Sequence, residues 1–538
     1  TNTGKALTKL WAGCGTFNTN NNIDIENVFN YTEPSNGQAA GALVHLYAEN
    51  DIRSNWVCDS DRPAPILFDI SGAAAGSKTR TLWEAERNIE TKGRADFNYK
   101  GATAAKSLVW LSRAGYIQTE RPVTVVYESD DTVSFRAETW RHDVASNPTV
   151  LSNAIASGRQ GNIHFFDSIN IKRYNTGVGV TEIKAENHIW TAMVDYWENS
   201  GATANKMDII SHKGDIYLGY NNGAAVGYPH KPYIANQQTP GWKVTQKAPS
   251  FSCVNPSMSS VSYDENIFKY YVPATNTSGH LWIKAGWEEK TDRNSVPDKT
   301  SNSNIDTSRA SGGNIYFTHI DVKQETGSKH PTVISIPHSG LWLCGRDSLL
   351  HNRRGDAMEF YENAGIISGV RRCPLPYPDK NISGPHNISK RIGLIYRGAI
   401  GDLTVDAGNR GNIIFNKGAY LSFEDPSSTG DAIFRTRFGD IDMRTPFDVD
   451  TMHGSLLFLA QIENIADLEH SGFCGCAEER NNVYLQDFQF KAHGASGSVF
   501  VGADNNIKLN YGGLQNIGTR HDPFLSKDYT PCRDGGQA

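Results

Sequence analysis

The chain contains the stretch Gly411-Asn412-Ile413-Ile414-Phe415, and variants of it recur along the sequence. Each variant begins with glycine and a polar residue, and then alternates aliphatic with variable positions. That alternation is typical of a short strand with one buried face. Further copies begin at Gly161, Gly214, Gly279, Gly313, Gly401, Gly439, Gly454 and Gly497. The recurrence indicates a stack of short strands.

A second repeated motif joins alanine, an acidic residue, two polar residues and isoleucine. Asn and Asp tolerate left-handed backbone and bond to nearby main chain, so they suit a sharp bend between two strands. The corner amides are Asn50, Asn88, Asn187 and Asn505. Copies of one amide in successive coils would form an internal ladder, in which each side chain donates to the next.

Together these patterns predict an all-β fold, a right-handed parallel β-helix (β-solenoid) with irregular loop insertions. The chain shows no sustained apolar period of 3.6 residues, and the compact hairpin signals of a sandwich are scarce. One continuous solenoid is expected over residues 1–538, with inserts near 221–255, 286–311 and 371–390. Because no amphipathic capping helix is evident, we expect a segment of a longer protein.

Composition narrows the function classes. The 538 residues carry 50 glycines and a formal net charge of -6, spread without long blocks of one sign. That charge argues against a nucleic-acid partner. No run of about 18 apolar residues occurs, so no membrane insertion is expected. The sequence contains no recognisable cofactor motif, and no cofactor is expected.

The eight cysteines are widely and irregularly spaced. Only Cys474 and Cys476 form a close pair, and no second pair lies at the spacing of a metal site. The cysteines are therefore either disulfide-bonded or buried free thiols. Disulfides are favoured because the rest of the sequence is typical of an extracellular protein, and Cys474 and Cys476 are candidates.

Catalytic constellations are sparse. Asp440 and Asp442 alternate onto one face, and paired carboxylates are what glycoside hydrolysis on a β-helix requires. Asp448, Asp450 and His453 follow closely, but the favoured interpretation is that all of these residues are solvated strand-face and turn residues. The dispersed histidines predict no metal site. Trp197 and Trp282 lie in or near inserts, where their rings would either bind sugars or a protein, or pack the inserts onto the solenoid.

The repeats beginning with glycine and those running from alanine to isoleucine resemble the strand repeats of filamentous-haemagglutinin-type adhesins and of the very large surface adhesins of gliding and other Bacteroidota. The resemblance covers most of the chain. It implies a surface or secreted role in adhesion and supplies no catalytic residues. By the same resemblance, four Asp-Ser/Thr-apolar tripeptides suggest O-glycosylation at Thr132, Ser168, Ser348 and Thr451.

The sequence thus favours a non-enzymatic, extracellular β-solenoid, acting as the stalk or adhesive segment of a bacterial cell-surface protein. Its partner would be a cell-surface glycan or protein, neighbouring solenoid segments or secretion machinery. The first alternative is a β-helix that cleaves or binds polysaccharide, with Asp440 and Asp442 as its catalytic pair. The second is a subunit of a self-assembling surface filament.

Overall fold

The structure is a computed structural model in which only part of the chain is described. The described residues are 6–12, 21–25, 29–32, 42–54, 66–70, 78–99, 105–128, 130–138, 161–212, 214–218, 268–286, 314–317, 320–325, 328–329, 331–335, 365–368, 392–398, 401–407, 412–415, 418–423, 430–436, 439–443, 447–451, 454–460, 482–486, 488–492, 498–510 and 513–516. They contain strands and turns and no helix, which confirms the all-β prediction. The chain divides into a first unit, Thr1–Ile209 with Tyr217–Gly279, and a second unit, Ile210–Ile216 with His280–Ala538.

The first unit consists of three ladders of short strands. The first ladder runs through β1 (Ala6–Ala12), β4 (Ala42–Ala48), β7 (Lys78–Ala85), β10 (Ala105–Ser112), β13 (Thr132–Ala137), β15 (Val180–Ala185) and β17 (Lys206–Ser211). The second contains β2 (Ile23–Ile25), β5 (Ile52–Ser54), β8 (Ile89–Thr91), β11 (Ile117–Thr119), β14 (Ile163–Arg173), β16 (Ile189–Glu198) and β18 (Ile216–Leu218). The third contains β3 (Phe29–Thr32), β6 (Ile66–Ile70), β9 (Ala95–Tyr99), β12 (Val123–Tyr127), the later parts of β14 and β16, and β19 (Phe268–Val272).

The second unit repeats this three-ladder arrangement. Its first ladder is β20 (His280–Ala285), β23 (Thr332–Ser335), β26 (Leu403–Asp406), β29 (Ala432–Thr436), β32 (Ser455–Ala460) and β35 (Ser498–Ala503). Its second is β21 (Asn314–Phe317), β24 (Gly365–Ser368), β27 (Asn412–Phe415), β30 (Ile441–Met443), β33 (Val483–Gln486) and β36 (Ile507–Asn510). Its third is β22 (Ile320–Gln324), β25 (Ile392–Gly398), β28 (Gly418–Phe423), β31 (Phe447–Thr451), β34 (Phe488–Ala492) and β37 (Gly513–Asn516).

Successive strands of the chain occupy the three ladders in turn, and each strand pairs in parallel with its counterpart one coil later. In the pairs β7 with β10 and β10 with β13, for example, Trp83 lies opposite Trp110 and Trp110 opposite Phe135. Such large parallel sheets are consistent with a parallel β-solenoid. The exception is β24, which pairs antiparallel with β21 and β27. The parallel prediction is wrong for this strand, since antiparallel pairing satisfies the same backbone groups.

Alternation decides which side chains enter the interior. Strands such as β9, β12 and β29 alternate buried and half-buried residues throughout, as a one-sided strand requires. In the first unit, Trp83 and Trp110 stack at 4.9 Å between ring centroids. In the second unit, Phe434 and Phe458 stack at 5.2 Å. Rows of matching side chains on successive coils therefore form the core of each unit.

A first row of polar side chains, termed the first corner ladder, joins the coils where the first strand of each turns into the second. Its members immediately precede a second-ladder strand. They are Asn22, Asp51, Asn88 and Asn162 in the first unit, and Asp440, Asn482 and Asn506 in the second. Asp51 N donates to Asn22 Oδ1 at 3.2 Å, and Asn88 N donates to Asp51 Oδ1 at 3.1 Å. The side chains of Asn22, Asp51, Asn88, Asn162 and Asp440 each accept from a backbone N–H of the next coil, and Asn482 Oδ1 accepts from the side chain of Asn506.

A second corner ladder lies where each coil ends and the next begins. In the first unit it consists of Asp130, Asn175, Asn205 and Asn276. Asn175 and Asn205 exchange two amide hydrogen bonds, at 2.6 and 3.0 Å. In the second unit carboxylates take this role, and Asp431 N donates to Asp402 Oδ1 at 2.9 Å. An amide side chain can both donate and accept a hydrogen bond, whereas an ionised carboxylate only accepts. The amides of the first unit can therefore bond to one another from coil to coil.

Candidate functional site

Of the two candidate catalytic carboxylates, Asp440 and Asp442, the first takes part in structural hydrogen bonds. Asp440 Oδ1 accepts from both the backbone N and the side-chain Nδ2 of Asn482, at 2.9 and 3.0 Å. Burial raises the pKa of Asp440, while these hydrogen bonds oppose the rise. Asp442 is half-buried in β30 between the buried Ile441 and Met443. Asp440 therefore joins two coils, which gives it a structural role in the first corner ladder.

The other candidate acids belong to the third ladder of the second unit. Asp448 and Asp450 lie in β31, opposite Tyr420 and Ser422 of β28, and His453 lies outside the described residues. Among the described residues, no group of three or more His, Cys, Asp or Glu side chains is arranged to hold a metal ion.

The predicted corner amides all lie between a first-ladder and a second-ladder strand. Asn88 belongs to the first corner ladder, because its Oδ1 accepts from Tyr116 N at 3.2 Å. Asn50 and Asn187 lie one residue before the ladder position, and each donates its backbone N to the preceding coil. Asn505 likewise precedes the ladder residue Asn506. The ladder position is therefore the residue that immediately precedes the isoleucine, whatever its type.

The predicted modification sites fall on several elements. Thr132 is the half-buried first residue of β13. Ser168 lies at the register shift of β14, where its Oγ accepts from Asn170 Nδ2 at 3.1 Å. Thr451 ends β31, and Ser348 lies outside the described residues. Cys474 and Cys476 also lie outside them, as do residues 221–255, 287–311 and 371–390.

A group of aromatic rings lies on the outward side of the third ladder of the first unit. Trp197 of β16 pairs in register with Tyr271 of β19, and their rings are parallel, with 6.0 Å between centroids. Tyr174, directly after β14, places its ring centroid 5.1 Å from that of Trp197. Tyr174 is 38% exposed, and the other two rings are half-buried. Neighbouring coils thus bring together three rings that are distant in sequence.

Two lysines border these rings. Lys172 lies opposite Trp197 in the β14–β16 pair and is exposed. Lys269 is half-buried and lies opposite Asp195, two residues from Tyr271 on the same strand face. We refer to Lys172, Tyr174, Trp197, Lys269 and Tyr271 as the aromatic patch. Such a combination of rings and cations can contact both the apolar faces and the charged groups of a ligand.

Trp282, the other tryptophan considered from sequence, has different surroundings. It is 9% exposed, with Lys284 Nζ 3.7 Å from its ring centroid and the His280 ring at 4.0 Å. The structure therefore favours a packing role for Trp282 and a surface role for Trp197.

Buried charges occupy the interior of the first unit beneath the aromatic patch. Arg173 is fully buried. Its Nε donates to Thr181 Oγ1 at 2.9 Å, and its terminal nitrogens donate to the carbonyl oxygens of Asp131 and Val180. Its guanidinium carbon lies 4.9 Å from the centroid of the Tyr127 ring. The cation is thus satisfied mainly by the backbone of the second corner.

Glu198 lies opposite Arg173 in the β14–β16 pair and is equally buried. It accepts hydrogen bonds from Tyr196 Oη and Asn276 Nδ2, both at 2.8 Å. Burial raises the pKa of Glu198 to about 7, while those two hydrogen bonds and the charge of Arg173 oppose the rise. Glu198 can therefore change its protonation state near neutral pH.

Sequence reasoning identified Trp197 but missed Tyr174 and Tyr271, and it missed the buried pair of Arg173 and Glu198. Alternation within Lys172-Arg173-Tyr174 signals that Lys172 and Tyr174 share a face. No sequence signal aligns Trp197 with Tyr271. The insert near residues 221–255 lies between them and contains no repeat from which the strand register could be deduced.

Comparisons with known proteins yield no match: no protein-family model, no curated protein and no solved structure matches this chain. In the part of the chain that the structure describes, no helix has the length and apolarity needed to cross a bilayer. The features that define the protein are therefore its parallel ladders, its corner ladders and the aromatic patch.

Proposed function

We propose that the chain is a non-enzymatic, extracellular, right-handed β-solenoid that serves as an adhesive or stalk segment of a bacterial surface protein. The observation that carries the proposal is the aromatic patch, which presents rings and cations on the outside of a regular strand ladder. Outward residues of a rigid ladder are well suited to binding, because little ordering is needed when a partner docks.

Two further considerations support adhesion over catalysis. Asp440 is engaged with Asn482 of the next coil. The repeats also resemble those of filamentous-haemagglutinin-type adhesins. A polysaccharide-cleaving β-helix remains the principal alternative, and it makes a different experimental prediction.

The test combines two measurements on the same protein. Binding is measured to a panel of immobilised mucin, collagen, cell walls and acidic polysaccharides, and product release is measured from soluble polygalacturonate, alginate and hyaluronate. We expect retention on at least one immobilised material and no product. Product release that is lost in Asp440→Asn or Asp442→Asn would establish the enzyme alternative, and failure to bind any surface would overturn adhesion.

A further inference from the structure

We propose that the aromatic patch binds an acidic oligosaccharide, with its rings against the sugar rings and its lysines paired with the carboxylate or sulfate groups. This inference rests on the proposed adhesive function and names the class of its ligand. The patch extends over three strands, β14, β16 and β19, which at a spacing of about 4.8 Å gives a binding surface about 10 Å across. That surface suits a short run of linked sugars.

The positive charges of the patch are available to a ligand. Among the described residues, neither Lys172 nor Lys269 forms an ion pair within 4.0 Å, although Asp195 lies opposite Lys269 in register. Other lysines on the same protein do find carboxylates, since Lys184 Nζ lies 2.9 Å from Glu182 and Lys323 Nζ lies 3.9 Å from Glu325. An anionic ligand would supply the counter-charge that Lys172 and Lys269 lack.

The rings favour a sugar as the carrier of that negative charge. Trp197 and Tyr271 are only half-buried, so parts of both rings remain in reach of an apolar partner surface. Sugar rings combine C–H faces, which pack on aromatic rings, with hydroxyl groups that need hydrogen-bond partners. Asn170 and Asp195 lie on the same outward face and carry suitable acceptors.

Nucleic acid is the rival polyanion, and the patch has few cations with which to bind it: its lysines are Lys172 and Lys269. Continuous phosphate chains require many cations, because each phosphate contact displaces a counterion. A patch with two lysines is better matched to a ligand with spaced charges.

The experiment measures the affinity of the full chain for polygalacturonate and chondroitin sulfate oligosaccharides, for a neutral cello-oligosaccharide, and for a DNA duplex. Trp197→Ala, Lys172→Gln and Lys269→Gln are compared with Lys323→Gln, whose exposed lysine lies on a third-ladder strand of the second unit. We expect binding to an acidic oligosaccharide that weakens with salt and falls about tenfold or more in each patch variant. Lys323→Gln should bind as the unaltered chain does.

The outcomes separate this inference from the proposed function. If the chain binds mucin or collagen but no acidic oligosaccharide, or if the patch variants bind that oligosaccharide unchanged, the ligand assignment is wrong and adhesion stands. Equal or tighter binding to DNA that the lysine variants lose also overturns the assignment. Binding to none of the materials overturns both proposals. Circular dichroism of each variant checks that its strands are intact, and substitutions of these outward-facing side chains should leave them so.

Discussion

The two units place chemically different side chains at the last inward position of their third ladders. In the first unit this row contains Tyr127, Arg173 and Glu198, all fully buried. In the second unit the corresponding row begins with Gln324, and Gln324 Nε2 donates to Tyr396 Oη at 3.3 Å. One row is ionic and the other neutral, although the backbone pairing around both is parallel.

The difference shows that a parallel ladder accepts interior charge where the corners supply partners. Arg173 bonds to Thr181 and to two backbone carbonyls, and Glu198 accepts from Tyr196 and Asn276. Without such partners a buried charge costs several kcal/mol. One of these partners, Asn276, belongs to the second corner ladder of the first unit, where the second unit has the carboxylates of Asp402 and Asp431.

The largest expected effect comes from removing the buried cation. Arg173→Met should lower the free energy of unfolding by about 4 kcal/mol, because Thr181 and two carbonyl oxygens lose their donor. The matched change in the neutral row, Gln324→Met, should cost about 1 kcal/mol, since it replaces a neutral donor to Tyr396 and removes no buried charge. Urea unfolding of both variants measures the difference. Equal losses would show that the ionic row is no more tightly coupled to its surroundings than the neutral one.

The next effect depends on pH. The pKa of Glu198 is raised in the folded protein, from its ordinary 4.5 to about 7, so the folded state binds the proton more tightly than the unfolded state. The contribution of Glu198 to the free energy of unfolding is therefore fully present below pH 4.5, and it is lost as the pH rises through 7. Glu198→Gln should be as stable as the unaltered chain at about pH 4 and up to about 3 kcal/mol more stable at about pH 8.

Thermal unfolding of both proteins between about pH 4 and pH 8 provides the measurement for Glu198. The glutamine side chain of the variant can still accept from Asn276 and bond to Tyr196, so the substitution preserves the hydrogen-bond geometry. Parallel stability profiles for the two proteins across this range would contradict a titrating Glu198. Asp402, in the second corner ladder of the second unit, is another carboxylate whose pKa burial raises, so Asp402→Asn shows whether the effect belongs to the first unit alone.

The smallest expected effect distinguishes the corner ladders. Asn205→Ala leaves the buried backbone donor of Gly179 without its acceptor and removes both amide bonds to Asn175, and should cost about 2 kcal/mol. Asn482→Ala should cost about 1 kcal/mol, because its partners Asp440 and Asn506 reach water that can replace the lost bonds. Hydrogen exchange of the neighbouring backbone amides, together with urea unfolding, compares the two. A larger loss for Asn482→Ala would reverse the order that burial predicts.

Much of the fold follows from local sequence pattern. Every quoted repeat that begins with glycine coincides with a strand, and the motif from alanine to isoleucine marks the strand ends at Ala48, Ala85, Ala185 and Ala503. These features are local, since a strand with one buried face must alternate and a sharp corner needs particular residues. The antiparallel pairing of β24 was not predicted, because pairing direction depends on partners distant in sequence.

The candidate site was less predictable. Charged residues are ordinarily exposed, so nothing marks Arg173 and Glu198 as interior except their place in the alternation of β14 and β16. The aromatic patch depends on register: Trp197 and Tyr271 meet because β16 pairs with β19. Inserts of unequal length hide that register from any count along the sequence.

The first corner ladder indicates how such a chain can gain or lose whole coils during evolution. Asn88 precedes Ile89, and Ile117 occupies the matching position one coil later. A deletion of residues 89–116 would join Asn88 directly to Ile117, and the new junction would again have an amide followed by isoleucine. A whole coil is thus a unit that replication errors can remove or duplicate without altering the joints on either side.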